Sequence, residues 1–183
     1  MGVVKSKLAV MHELSETTIR KSFVNCSKGE AKRLNLPTLR EVKWEDQIFL
    51  SWLDHKSPLK GCLVVEHEGE VQAVLLQKAK AQSKAAQMCQ FCMTLHPGSG
   101  ISMYTAARPG ESGRRGNTIG TYLCANLACT DYVLGKKKPV GIRQMEETLT
   151  LEEKIERTKS NALGFIARLK DESQKLRGTS CSS

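Results

Sequence analysis

With 183 residues, 40% of them hydrophobic and 5% aromatic, the chain has room for one domain with a real core or two small units sharing one. No run approaches the roughly 18 unbroken apolar residues of a membrane span, and the N-terminal MGVVKSKLAVMHELSE reaches His12 and Glu13 too soon for a secretory signal, so a soluble cytoplasmic protein without a membrane partner is expected. The net charge of +9 is concentrated, with nine Lys and Arg against four acids in residues 1–43 and seven against two in 88–143, which points to nucleic acid, the ribosome or an acidic protein face as partner.

Four segments follow in chain order: a basic helical segment over 1–43, a hairpin-containing part of the core over 44–87, a cysteine-rich unit over 88–143 and a C-terminal helix over 144–177. In the first, Ser15 is an N-cap for SETTIRKSFVNC, whose Ile19, Phe23 and Val24 recur at helical spacing. Gly29 breaks that pattern and Pro37 stops any helix that resumes. WEDQIFLSWL predicts a short helix or turn giving Trp44, Phe49 and Trp52 to the core. Leu63–Val65 and the apolar positions Val71 and Ala73–Leu76 flank the polar turn EHEGE, a β-hairpin pattern. KAKAQSKAAQ favours helix by propensity but has no apolar face, which suits a linker equally well.

Further on, GISMYTAAR and TIGTYLC read as strands around the exposed, Arg- and Gly-rich loop RPGESGRRGN. LACTDYVLG reads as a helix closed by Gly135. The C-terminal helix opens on a capping box, Thr150 with Glu153, and places Leu151, Ile155, Ala162, Ile166 and Leu169 on one face. RGTSCSS is an expected frayed tail. The fold class predicted is α+β, a small mixed domain with β-hairpins and a long C-terminal helix.

Seven cysteines, an odd number, argue against a closed disulfide framework, and four of them fall into the pairs Cys89/Cys92 and Cys124/Cys129. In a reducing compartment such pairing suggests metal. A structural zinc needs four soft ligands in a tetrahedron. Cys89-Gln-Phe-Cys92 can make a tight knuckle. The wider second pair works if Cys124 ends a strand and Cys129 lies in the first turn of a helix, where the free N–H groups stabilise thiolate. Knuckle, hairpin, then helix-borne ligand is the treble-clef arrangement, and one structural Zn2+ is expected. Three alternatives compete. A redox pair would open a helix, whereas this one leads to His-Pro-Gly. A catalytic zinc would release one cysteine or recruit His96, four residues after Cys92. Four metal-free buried thiols would need two such pairs to arise by coincidence. Cys62 is expected in the core, Cys26 and Cys181 as incidental, and His12, His55 and His67 on the surface.

MCQFCMTLHPG, GRRGNTIGTYLCANLACTDYV and ETLTLEEK, with IRKSFVNCSKGEAKRL and WEDQIFLSW upstream, resemble the treble-clef zinc-finger domain of the elongation-factor-G-binding proteins, a family that includes the fusidic-acid-resistance proteins. The resemblance spans roughly residues 15–172. It implies zinc on Cys89, Cys92, Cys124 and Cys129, and a non-enzymatic role: binding elongation factor G, promoting its release from the ribosome, and so giving fusidic acid tolerance. The resistance proteins carry a longer helical region before this domain than the chain has room for here.

Candidate contacts for that partner are Phe91, held outward if both neighbouring cysteines bend toward zinc, Tyr122, and the run Lys136, Lys137 and Lys138. Packing of the two aromatics on the hairpin, and a merely solvated lysine run, are the plainer readings. Arg114 and Arg115 are candidates to balance the charge of a four-thiolate zinc. The rival function is a zinc-dependent module binding RNA or the ribosome through its basic stretches, although its aromatics do not interleave with them as stacking platforms do. An enzyme is the third class, and no phosphate loop, nucleophile elbow or acid/base pair supports it. Glu30 and Asp131 are better placed as cap or surface residues, and no small-molecule substrate is expected.

Overall fold

A computed structural model of the chain describes residues 11–171. The first ten residues, Cys181 with the predicted tail, and the last residues of the predicted C-terminal helix lie outside that range. Two six-residue helices open the fold, α1 (Glu16–Lys21) and α2 (Lys28–Arg33), with the hydroxyls of Ser15 and Ser27 accepting from the N–H groups of Thr18 and Glu30. Gly29 therefore sits inside a helix rather than breaking one. Phe23 and Val24 do not extend α1. The stretch 22–25 instead runs parallel to strand β3 (Glu70–Lys78), with Val24 N–H donating to Ala73 O and Ala73 N–H to Ser22 O, both at 2.9 Å. The Asn25 side chain lengthens this ladder by bonding both backbone groups of Leu75. A strand edge with unpaired amides takes the segment from the helix.

WEDQIFLSWL likewise divides into a 3₁₀ turn over Trp44–Asp46 and strand β1 (Leu50–Asp54), because Leu50–Leu53 can pair with β2 (Ser57–His67). Trp44, Phe49 and Trp52 are buried as their apolar character requires. The predicted hairpin joins β2 to β3, with Glu68 and Gly69 at φ 51° and 79° forming the two-residue turn. Two positive φ values match the twist of the flanking strands. KAKAQSKAAQ forms no helix beyond the end of β3 and runs as a loop to β4 (Gln87–Met88), which pairs with β5 (Leu95–His96).

Strands β6 (Ile101–Ala107) and β7 (Thr118–Cys124) complete an antiparallel sheet of order β1-β2-β3-β6-β7. The loop between them contains one helical turn, α3 (Gly110–Arg114). β3 and β6 pair at Gln77–Thr105 and Lys78–Tyr104, and Ala79 N–H donates to Met103 O at 2.9 Å just beyond, next to the half of β3 that residues 22–25 cover. Residues 61–65 of β2 are buried without alternation, so both faces of the sheet are covered there. After β7 come α4 (Cys129–Val133), closed by Gly135 at φ 72°, and α5 (Leu151–Lys170). Both halves of the Thr150/Glu153 capping box are present, and α5 packs Ile155, Ala162, Phe165, Ile166 and Leu169 inward against β2 and α4.

Candidate metal centre

The first knuckle is a tight turn in which Met93 N–H donates to Cys89 O at 2.9 Å, with Met93 in the left-handed region at φ 59°. The second begins where β7 ends, at Cys124. Leu127 N–H donates to Cys124 O at 2.8 Å with Leu127 at φ 55°, and Cys129 is the first residue of α4. Non-glycine residues pay a steric penalty in this conformation, and both knuckles adopt it so that each chain turns inside three or four residues. The hairpin β6–β7 carries the second knuckle back beside the first.

The four sulfurs converge, all within 4.8 Å of one another and all buried. Cys89 and Cys129 approach to 3.6 Å and Cys92 and Cys124 to 3.5 Å. Tetrahedral Zn–S bonds of about 2.3 Å place sulfurs about 3.8 Å apart, so the set fits zinc in donor type, number and spacing. Burial works against the Cys89 thiolate, yet hydrogen bonds from Cys124, Cys129 and Cys92 hold that thiol well below the ordinary range. The Cys129 thiol is pushed well above it, first by sharing its proton with Cys124. Four thiolates brought this close together need a dication among them. The cluster is a structural zinc site. Cys62, by contrast, is a core thiol that burial pushes up to about 12, and Cys26 is half-buried with its thiol raised to about 11.

His96 is not among the four converging ligands. It is 3% exposed, with Nε2 at 3.4 Å from Cys124 Sγ and the ring edge-on to Tyr132 at 4.7 Å. Burial holds the imidazole below its usual range against the opposing charge of Cys89. Arg114 and Arg115 do not balance the cluster's charge. They sit before the start of β7, roughly 20 Å of strand from Cys124 at its end, and both bind Glu111, at 3.0 and 3.3 Å. Lys78 instead contacts the backbone of the second knuckle. Its Nζ donates to Ala125 O at 2.8 Å, and the buried Tyr104 hydroxyl donates to the same oxygen at 2.8 Å. Burial, then the charges of Cys129, Cys124 and Cys89, raise the Tyr104 phenol, which places it in the field of the cluster. Nothing in the spacing of Lys78 from the cysteines signals this contact, since it depends on the pairing of β3 with β6.

The expectation of an exposed Phe91 is corrected. Its ring is 2% exposed and lies edge-on between Phe49 and Phe165, at 5.9 and 5.8 Å, with Asn161 Nδ2 donating to its carbonyl at 3.0 Å. Both cysteines do bend inward, but α5 covers the outer side of the knuckle. Tyr122 is 37% exposed on β7, and its carbonyl accepts from Gln90 N–H of the first knuckle at 2.9 Å. Lys136 reaches Asp46 at 2.7 Å, Lys137 reaches Asp131 at 3.5 Å, and Lys137 and Lys138 line a cleft of about 640 Å³ between Met93, the stretch 137–147 and α5.

Residues 18–169 match the protein family described as FBP C-terminal treble-clef zinc-finger. Among solved structures, that of the fusidic acid resistance protein FusC is similar in fold, with a TM-score of 0.51 and 15% identity, covering 66% of this chain and 53% of that one. The chain thus spans about half the length of that protein. No curated protein matches it in sequence. Among the described residues, no helix is long and apolar enough to cross a membrane.

Proposed function

The chain belongs to the FBP C-terminal treble-clef zinc-finger family, and from that premise we propose that it is a non-enzymatic cytoplasmic adaptor that binds elongation factor G and promotes its release from the ribosome. The match over residues 18–169, which includes both cysteine pairs, is the observation that carries this reading. The fold shared with a fusidic acid resistance protein supports it. A factor freed from the ribosome escapes trapping by fusidic acid, so tolerance to the drug follows without any change to the drug itself.

Physically, zinc holds the two knuckles in one geometry and reduces the ordering cost of binding, while the +9 charge steers encounter with an acidic factor. With Phe91 in the core, Tyr122 is the aromatic anchor and Lys136 to Lys138 the cationic rim. Gel filtration of the zinc-loaded chain with elongation factor G tests the reading. Co-elution is expected, weakened by Tyr122→Ala by about 2 kcal/mol or more as an aromatic hot spot requires. Separate elution at tens of micromolar, as an order of magnitude for weak complexes, would sink it.

A further inference from the structure

The segment that leaves the first knuckle, Thr94-Leu95-His96, is extended, so its first and third side chains share one face. That face is turned to sulfur. As a thiol Cys92 donates through Sγ to Thr94 Oγ1 at 3.2 Å, and His96 Nε2 lies 3.4 Å from Cys124 Sγ, one ligand in each knuckle. Thiolate can only accept. In the metal-bound charge state the hydroxyl and the imidazole N–H are therefore the groups with a proton to give.

The position of the imidazole is built rather than incidental. Tyr132 meets the ring edge-on at 87°. On another side lies Gly100, where an added Cβ would stand 2.7 Å from His96 Cβ and 2.8 Å from Nδ1. A side chain at 100 displaces the ring. Leu95, between the two donors, is gripped through its backbone: its N–H donates to Gln144 Oε1 at 2.9 Å and its carbonyl accepts from Gln144 Nε2 at 2.8 Å. Gln144 comes from the stretch between α4 and α5, so the register of the segment is fixed from outside the knuckles.

We propose that Thr94 and His96 donate hydrogen bonds to the ligand sulfurs of Cys92 and Cys124, and that Gln144 is the positioning residue that keeps both donors aimed. The proposal rests on the zinc site and not on the identity of the protein partner. Donation draws charge from two of four thiolates around a centre that carries a net negative charge, which favours retention of zinc and lowers the nucleophilicity of those sulfurs. Partners of this kind change metal retention by about 10- to 100-fold when removed.

The test uses the full chain loaded with zinc, or with cobalt as a spectroscopic probe. His96→Phe keeps a ring against Tyr132 and Gly100 but removes the N–H. Thr94→Val keeps the shape and removes the O–H, and Thr94→Ser restores it. Transfer of zinc to a chelator is expected to quicken about 10-fold or more in the Phe and Val variants, with the sulfur-to-cobalt charge-transfer band moved to lower energy, while Thr94→Ser behaves as the parent. Gln144→Ala is expected to shift both readouts the same way by a smaller amount. Phe and Val variants that transfer zinc at the parental rate with an unshifted band would overturn the proposal. Should His96→Phe fail to fold, identical rates for Thr94→Val and Thr94→Ser overturn it alone. A parent chain with no charge-transfer band overturns the zinc site as well, which separates that failure from this one.

Discussion

Met93 and Leu127 occupy the same left-handed conformation in the two knuckles, yet substitution by glycine should affect them oppositely. A left-handed non-glycine residue costs about 1–2 kcal/mol. Met93 recovers little of this because it is 37% exposed at the knuckle tip, whereas Leu127 is buried and its methyl approaches Gly61 closely. Burying a leucine contributes about 1.5–3 kcal/mol. Met93→Gly should therefore raise the melting temperature and Leu127→Gly lower it, as calorimetric scans would show; two changes of the same sign would refute the assignment. Phe91→Ala removes the middle ring of three and should destabilise the fold by about 3–5 kcal/mol. A surface contact residue would instead leave unfolding in denaturant unchanged. The burial of Phe91 was not legible in the sequence, because the geometry of the knuckle gives its outward direction but not the helix that covers it. The left-handed knuckle residues were equally hidden, since no glycine marks either position.

At the scale of elements, the local signals were readable. The capping box of α5, the two-residue hairpin turn between β2 and β3, Gly135 after α4 and the strand-to-helix change between Cys124 and Cys129 all depend on residues close in sequence. Elements decided by distant partners were not. Phe23 and Val24 have helical spacing but join β3, and residues 50–53 join β2. Two arginines close helix ends from afar. Arg20 donates to the carbonyls of Ala31, Lys32 and Leu34 at the end of α2, and Arg108 to those of Arg168, Leu169 and Asp171 at the end of α5. Asp54 plays a similar part at the β1–β2 turn. Burial opposes its charge, but N–H groups of Asn35, Lys56 and Ser57 and the Asn35 amide outweigh it and hold the carboxyl below its ordinary value of 3.8. A lowered folded pKa means that this stabilisation is complete above the unfolded value and is lost as pH falls through the folded one. Acid unfolding of the parent below about pH 4 should thus be steeper than in Asp54→Asn, which starts less stable at neutral pH. Parallel acid profiles would contradict this.

For the whole molecule, one sheet links an N-terminal half held by apolar burial to a C-terminal half organised on zinc. The link between β3 and β6 is short, two residue pairs and the Ala79 N–H to Met103 O bond, so zinc adds to the shared apolar core in holding the hairpin that carries Cys124. Structural zinc contributes on the order of 10–16 kcal/mol in small finger peptides. Chelation, or Cys124→Ser, should abolish hydrogen-exchange protection over 88–135 while β1–β3 retain much of theirs; full protection throughout would rule out a structural role. The charge pattern alone leaves RNA as a rival partner, and only a binding measurement separates it from a protein factor. That measurement is calorimetric titration of the zinc-loaded chain with purified elongation factor G at two salt concentrations. Saturable one-to-one binding with a modest salt dependence is the predicted result. Absence of heat and of complex with the factor, together with RNA binding that weakens steeply with salt, would contradict the adaptor function and leave the zinc fold with a different partner.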